Sequence, residues 1–245
     1  MTPPLPAKKR SALPWVLSGC GLVLVVGVIG LIIFFMSVSK LTLLNQNVAG
    51  PKTKQKTPAL SESEAQTKSP PVKAPPDWTT YTHKLSDVPA NLGEDFVAFS
   101  VSYPPDFRKK ASRDASVVLQ KLDPSNQILE EISINPGRFP NEPTASQYES
   151  ALDDIAGFMK KVLSNLEPLG KESATIAGVP GRALSYRGQL KEVTYFGKAI
   201  VLFPKGSRHG LIVILQAQES VSGITSADKL DSRGDLATIL QTFRW

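Results

Sequence analysis

An uninterrupted apolar run near the N-terminus constrains this chain more than any other feature. From Leu13 to Met36 no residue is charged, and between Leu22 and Phe35 only Gly27 and Gly30 interrupt a series of Val, Leu, Ile and Phe. At about 1.5 Å per residue, a helix of this length crosses the roughly 30 Å hydrocarbon core of a bilayer. A core helix of a soluble domain would show a polar face. The run therefore predicts a single transmembrane helix.

The apolar run could be an uncleaved signal anchor, or it could be cleaved in one of two ways. Leu17-Ser-Gly-Cys20 resembles a lipoprotein box, but the long apolar stretch follows Cys20, whereas a signal peptide carries its apolar core before the cleavage site. Ordinary signal peptidase cleavage near Phe35 or Ser39 is the better alternative, although the run is long for a signal peptide and lacks an Ala-x-Ala site. We expect an uncleaved anchor and an unlipidated Cys20.

The basic residues that flank the run predict its orientation. Lys8, Lys9 and Arg10 directly precede it, while Lys40 alone follows closely. Positive charge is retained on the cytoplasmic side of membranes. Residues 1–12 are therefore expected to form a cytoplasmic tail, and the C-terminal part is expected to be extracytoplasmic, as on the periplasmic face of a bacterial inner membrane. The lipid bilayer is the partner expected for residues 13–36.

Residues 37–77 have the composition of a linker. Pro, Lys, Thr, Ser, Gln and Glu dominate, and prolines such as Pro58, Pro70 and Pro75 interrupt any regular element. Few side chains there are able to form a core, so we expect a disordered tether. This leaves residues 78–245 as one domain of ordinary size.

The charge distribution argues against nucleic-acid binding. The chain has a formal net charge of +6, yet residues 78–245 contain 19 basic and 19 acidic side chains, so the excess lies in the tail and linker. Nucleic-acid-binding domains use a net basic surface to displace counterions from phosphates. The single cysteine, Cys20, lies in the apolar run, so the domain has no disulfide, cysteine zinc site or thiol nucleophile.

Alternating hydrophobicity predicts strands from Phe96 onward. In Phe96–Tyr103 the residues Val97, Phe99, Val101 and Tyr103 share one face, which is typical of a half-buried strand. Turn residues separate the further predicted strands, and Pro136-Gly137 is expected to end the second hairpin. These strands are Ser116–Leu122, Ile128–Asn135, Ser173–Ile176, Arg182–Arg187, Lys191–Phe203 with a possible break, and Leu211–Gln218.

Two helices are predicted among these strands. Thr144 and Gln147 have the spacing of a capping box, and apolar residues then recur every three or four positions from Tyr148 to Leu166. Near the end, capping-box spacings at Thr225/Asp228 and Ser232/Asp235 precede an apolar face that includes Phe243. The predicted fold class is α+β, an antiparallel sheet with helices packed on it.

Three short sequence segments resemble sequences of the PsbP-like and Mog1-like superfamily. They are Phe99-Ser-Val-Ser-Tyr103-Pro-Pro-Asp-Phe107, Ile176-Ala-Gly-Val-Pro-Gly-Arg182, and the closing Ile239–Trp245. The resemblance covers about 150 residues and implies the fold of that group, whose bacterial members include small secreted or membrane-anchored domains. Plant members assist the photosynthetic oxygen-evolving complex and yeast members bind a small GTPase. No residue here matches either functional surface, so the resemblance implies neither role.

Residues that carry catalysis or bind metals are sparse. His83 and His209 each lie beside a basic residue without His-x-x-His spacing, so a structural or surface role is favoured over a two-histidine metal site. Gly178-Val-Pro-Gly181 is read as a turn, since Pro180 lacks the N–H that a phosphate loop uses. The adjacent carboxylates are read as solvated faces because neighbouring residues point in different directions. These pairs are Glu94-Asp95, Glu130-Glu131 and Asp153-Asp154.

Three functional hypotheses remain, in order of preference. The first is a membrane-tethered, non-enzymatic accessory domain that binds a protein or envelope component. The second is a small-molecule or lipid-binding module that uses a cleft between sheet and helix, with Tyr186, Tyr195 and Phe196 as candidate lining residues, although core packing is the favoured role for these aromatics. An enzyme is third. No catalytic, cofactor-binding or metal-binding residue is nominated, and no cofactor is expected.

Overall fold

The computed structural model describes residues 72–88, 93, 96–110, 117–221 and 223–245. The predicted tail, the transmembrane helix over 13–36 and residues 37–71 of the linker lie outside this part of the chain. Among the residues described, no helix is both long and apolar enough to span a bilayer. The predicted anchor therefore stays a prediction.

Nine strands and two α-helices make up the described domain, with short 3₁₀ turns at Leu85–Asp87 and Ala227–Lys229. In chain order the elements are β1 (Thr79–His83), β2 (Phe99–Tyr103), β3 (Phe107–Lys110), β4 (Val117–Leu122), β5 (Ile128–Arg138), α1 (Ala145–Val162), β6 (Ser164–Ile176), β7 (Val179–Leu190), β8 (Val193–Leu202), β9 (His209–Gln218) and α2 (Gly234–Gln241). The fold is α+β, as predicted.

Seven strands form one antiparallel sheet in the order β3-β4-β5-β9-β8-β7-β6, and β1 and β2 form a separate ribbon. The large sheet consists of two meanders, β3–β5 and β6–β9. They are joined where β5 pairs with β9, from Glu130 opposite Ala217 to Arg138 opposite His209. We call this pairing the seam.

Apolar side chains cover both faces of the large sheet. On one face, Ile132, Ile200 and Val213 pack with α2 and the ribbon, including Phe99 and Phe243. On the other face, residues of β7, β8 and β9 pack against α1. This second cluster includes Leu152, Phe158, Met159, Leu184, Ala199, Val201 and Ile214. Because residues alternate along each strand, β7, β8 and β9 contribute to both clusters, whereas the clustered residues of β4 and β5 all lie on the first face.

The C-terminal segment fastens the ribbon to the rest of the domain. Phe243 stacks on Phe99, with ring centroids 5.4 Å apart. The backbones of Ser100 and Arg244 exchange two hydrogen bonds of 2.9 Å, and the Ser102 N–H donates to Thr242 Oγ1 at 2.9 Å. The ribbon therefore depends on residues about 140 positions later in the chain.

Several predicted boundaries were wrong. Pro136 and Gly137 do not end β5 but continue it, opposite Leu211 and Gly210 of β9. Leu166 belongs to β6 and not to the preceding helix, because α1 ends at Val162. The Thr225/Asp228 spacing begins only a 3₁₀ turn, and α2 starts at Gly234. Strands β1 and β3 were not predicted at all.

Other boundaries were confirmed. The helix after Thr144 begins at Ala145, and the Thr144 N–H donates to Gln147 Oε1 at 2.8 Å, as a capping box requires. The strand predicted over Lys191–Phe203 is β8, but it is continuous from Val193 to Leu202, so the break that the prediction allowed inside it is absent. Lys191 and Glu192, both with positive φ, form the turn that precedes it. The turn predicted at Gly178-Val-Pro-Gly181 is confirmed only in part: Ala177 and Gly178, both with positive φ, connect β6 to β7, whereas Val179, Pro180 and Gly181 already belong to β7.

Candidate functional site

The two histidines lie in different sheets. His83 ends β1 in the ribbon and is buried between Phe96 and Phe99, with ring centroids 5.5 Å and 4.9 Å away. Burial lowers the pKa of its imidazole. His209 begins β9, and its Nε2 accepts a hydrogen bond from Arg208 Nε at 3.0 Å. Of the structural and surface positions predicted together for the histidines, His83 therefore has the buried one.

His83 also belongs to a small network of polar side chains. Tyr81 Oη lies 2.9 Å from His83 Nδ1 and 3.3 Å from Asp87 Oδ2, and the Lys109 ammonium lies 4.1 Å from the centre of the Tyr81 ring. Burial, together with the nearby Asp87 carboxylate, raises the pKa of Tyr81 to about 12. The phenol is therefore a neutral donor at physiological pH, and the arrangement links the ribbon to β3.

The three aromatic residues proposed for a ligand cleft do not line one. Tyr186 belongs to the cluster beneath α1, whereas Phe196 belongs to the cluster on the opposite face of the sheet. Tyr195 is buried and donates its hydroxyl hydrogen to the Ile128 carbonyl at 3.1 Å. The packing role favoured for these residues is confirmed, and the space between α1 and the sheet is filled by side chains.

Glu130 and Glu131 point to opposite faces of β5, as expected of neighbours on a strand. The prediction of a solvated pair was wrong, because their exposed fractions are only 3% and 5%. Glu131 lies in a row of residues that are opposite one another across five strands: Gln120, Glu131, Gln216, Gly197 and Tyr186. We call this the transverse row.

Hydrogen bonds satisfy the polar members of the transverse row. Gln120 Nε2 donates to Glu131 Oε2 at 2.5 Å, and Gln216 Nε2 donates to Tyr186 Oη at 3.0 Å. Tyr186 reaches Gln216 by lying across Gly197, where any Cβ would overlap its ring. Burial raises the pKa of Glu131 above its ordinary value. Four of the five residues of the row are buried and Gln216 is partly exposed, so we interpret the row as structural.

Glu130, on the other face, belongs to a lysine–carboxylate cluster with Asp106, Lys121 and Asp235. Lys121 Nζ lies 2.8 Å from Asp106 Oδ2, 2.9 Å from Asp235 Oδ2 and 3.9 Å from Glu130 Oε2. Burial lowers the pKa of Lys121, but its hydrogen bonds to Asp106 and Asp235 outweigh this and raise it. Burial and the Asp235 charge raise the pKa of Glu130 to about 7.

A buried lysine, Lys198, joins three elements. Lys198 of β8 contacts Asp231 Oδ2 at 2.6 Å and Glu172 Oε1 at 2.7 Å, and only 4% of its side chain is exposed. Burial opposes the charged form, but the two carboxylates outweigh it and raise the pKa of Lys198. The ammonium therefore holds the segment before α2 against β6 and β8.

These clusters were missed because their charges come from distant positions. Lys121 and Asp235 are 114 residues apart, and no local spacing signals their contact. Of the pairs named above, Asp153 is exposed and bonds Lys171 at 2.7 Å, while Glu94 and Asp95 lie outside the described residues. Within that described part, no group of three or more potential ligands is arranged to hold a metal ion.

The class of fold is an antiparallel sheet with helices on both faces and a small two-stranded ribbon packed on the same face as α2. No protein-family model matches the chain, and no curated protein sequence does either. Similar solved structures exist at low sequence identity. A cyanobacterial PsbP from Synechocystis sp. PCC 6803 is 18% identical, with a TM-score of 0.42 over 70% of this chain and 94% of that one.

Two further structures extend this likeness. The Ran-binding protein Mog1p of Saccharomyces cerevisiae is 9% identical, with a TM-score of 0.39 over 60% of this chain and 89% of its own. LpqN of Mycobacterium tuberculosis, described as involved in cell envelope biogenesis, is 14% identical, with a TM-score of 0.36 over 58% and 79%. PsbP and Mog1p agree with the resemblance of the sequence. At TM-scores below 0.5, nothing about activity or partners follows.

Proposed function

We propose that this chain is a non-enzymatic accessory domain, tethered to a membrane by residues 13–36, that binds a protein or envelope component through its outer surface. The observation that supports this is that the domain interior is packed with side chains and its buried charged groups are paired. Apolar side chains pack beneath α1, the buried Glu131 is hydrogen-bonded to Gln120, and the ammonium groups of Lys121 and Lys198 are paired with carboxylates. Such a domain offers a partner its surface and not an internal pocket.

The tether is tested by membrane extraction. The variant Val26→Arg/Ile29→Arg places two charges in the apolar run, each at a cost of about 2.5–3.5 kcal/mol at the centre of a membrane helix. We expect the wild-type chain to stay in the membrane pellet at alkaline pH and this variant to be released. Val26→Leu/Ile29→Leu is the matched control and stays in the pellet. Release of the wild-type chain would refute an uncleaved anchor.

The orientation is tested by labelling cysteines in a Cys20→Ser background. Ser61→Cys, in the linker, is expected to react with a membrane-impermeant maleimide in intact cells. Ser11→Cys, in the tail, is expected to react only after lysis. The reverse pattern would place the domain in the cytoplasm.

The binding role is tested by crosslinking the full chain in its own membrane and identifying the products by mass spectrometry. The control is Gly197→Val, which keeps the tail, span and linker but disrupts the packing of Tyr186 on β8. We expect at least one protein or envelope component that crosslinks to wild type and not to the control. If crosslinking yields nothing specific to the folded domain while native mass spectrometry finds a co-purified small molecule or lipid, the ligand-binding alternative replaces this proposal.

A further inference from the structure

The two sheets have four outer edges, and three of them are protected against pairing with another strand. Proteins commonly block edges with charges, proline, bulges or a covering segment. β3 is four residues long and carries Arg108, Lys109 and Lys110. β6 contains Pro168 and two register shifts. The outer side of β2 is covered by Thr242 and Arg244.

β1 is also short, but within the part of the chain that the structure describes it has no charge, proline or register shift that would block its outer edge. Its sequence, Thr-Thr-Tyr-Thr-His from Thr79 to His83, contains no proline, glycine, lysine or carboxylate, and its pairing with β2 is continuous. Thr79, Thr80 and Thr82 are exposed. Among the residues described, no strand pairs with the outer edge of β1.

The contacts of β2 establish which backbone groups of β1 point outward. The N–H and C=O of Ser100 and Ser102 face Arg244 and Thr242, away from β1. Hydrogen-bonded and non-hydrogen-bonded pairs alternate in an antiparallel ladder, so Phe99, Val101 and Tyr103 make the bonds to β1. Their partners His83, Tyr81 and Thr79 therefore point inward. The N–H and C=O groups of Thr80 and Thr82 point outward.

We propose that β1 pairs antiparallel with β1 of a second copy of this chain, about a two-fold axis at Tyr81, to form a four-stranded sheet across two domains. In this register Thr80 lies opposite Thr82 of the second copy, and Thr82 opposite its Thr80. Both are hydrogen-bonded pairs, because both residues present outward N–H and C=O groups. The outward groups of two copies therefore satisfy one another.

The side chains suit a second copy as the occupant. Threonine opposite threonine is a favourable cross-strand pair, and no like charges meet within the strand. Continuing the register by one residue places Lys84 of one copy opposite Trp78 of the other, a combination suited to a cation–π contact. A two-fold contact uses the same edge in both copies and closes on itself, so it ends at a dimer. This pairing is independent of the partner proposed above.

The first experiment measures the mass of the full chain in detergent as a function of concentration. We expect a monomer–dimer equilibrium, since five residues of strand bury little area. Thr80→Pro removes an outward N–H and leaves the inward ladder to β2 intact, so it should abolish the dimer. Thr80→Val keeps the N–H and also loses the hydroxyl bond to Ser102, so it is the matched control and should still dimerise. Equal dimerisation of both variants would overturn the proposal.

The second experiment tests the register in a Cys20→Ser background. Hydrogen-bonded pairs have Cα atoms about 5.5 Å apart, within disulfide range. Mixing a Thr80→Cys chain with a Thr82→Cys chain should give at least fivefold more oxidised dimer than Thr175→Cys, an exposed threonine on the protected edge of β6. Equal crosslinking at all three positions would exclude the β1 pairing. A different protein crosslinked to both β1 cysteines, with no homodimer, would also exclude it.

Discussion

At the scale of single residues, the burial of Glu130 has a consequence for pH dependence. Burial raises its pKa from the ordinary 4.5 to about 7 in the folded chain, and the charges that face it are those of Lys121, Asp106 and Asp235. The folded state therefore binds more protons than the unfolded state between these values. The free energy of unfolding falls as pH rises through this window. Once the pH is above 7, the total loss is about 3 kcal/mol.

Glu130→Gln should remove this loss. We expect the variant to be more stable than wild type at pH 8 and to show a smaller decrease in melting temperature between pH 5 and pH 8. Thermal unfolding followed by tryptophan fluorescence measures both. Glu192→Gln, at an exposed turn, is the control and should follow wild type. Parallel pH profiles for wild type and Glu130→Gln would show that the carboxyl ionises normally.

Gly197 provides the second residue-scale prediction. A methyl group there would overlap the Tyr186 ring, so Gly197→Ala should reduce the free energy of unfolding by about 1–3 kcal/mol. The loss should shrink when Tyr186→Leu is combined with it, because the two positions share one space. Gly157→Ala is the control: nothing lies within 4 Å of its Cβ position in α1, and this change should stabilise the helix by up to about 1 kcal/mol. Denaturant titration distinguishes these outcomes.

At the scale of elements, Lys198 decides how firmly the segment before α2 is held. Lys198→Met removes the contacts to Asp231 and Glu172, and we expect a loss of about 1–3 kcal/mol in stability. Amide hydrogen exchange should increase in residues 227–233 more than elsewhere. Lys205→Met, at an exposed position, should leave exchange unchanged. Adding Asp231→Asn to Lys198→Met should cost little more, since the pair is already broken.

Sequence periodicity predicted some elements better than others. α1 was predictable because its capping box and its apolar stripe are both local. β6 was mostly missed because it is an exposed edge with Pro168 and Gly170, which normally argue against a strand. β1 and β3 are short and polar, and they are held by ring stacking and by β4, contacts that no local pattern records. The buried role of Glu130 and Glu131 was invisible for the same reason.

At the scale of the whole molecule, Phe243 joins the ribbon to the main core. It is fully buried, stacks on Phe99 and lies 5.7 Å from the Trp245 ring. Phe243→Ala should reduce the free energy of unfolding by about 3–5 kcal/mol. The ribbon should be the first part of the domain to unfold. Limited proteolysis should then cut the chain between residues 84 and 98 before it cuts α1. Leu169→Ala, at an exposed apolar residue, should change stability by less than about 0.5 kcal/mol.

The seam has a kinetic consequence. Every other strand pair of the large sheet joins neighbours in sequence, so those hairpins close short loops, whereas β5 reaches β9 only after the chain between residues 138 and 209 has been brought together. Closing a long loop costs entropy before the pairing compensates for it, and such non-local contacts slow folding. The two meanders should therefore form early and join late. Formation of the seam should then limit the rate of folding.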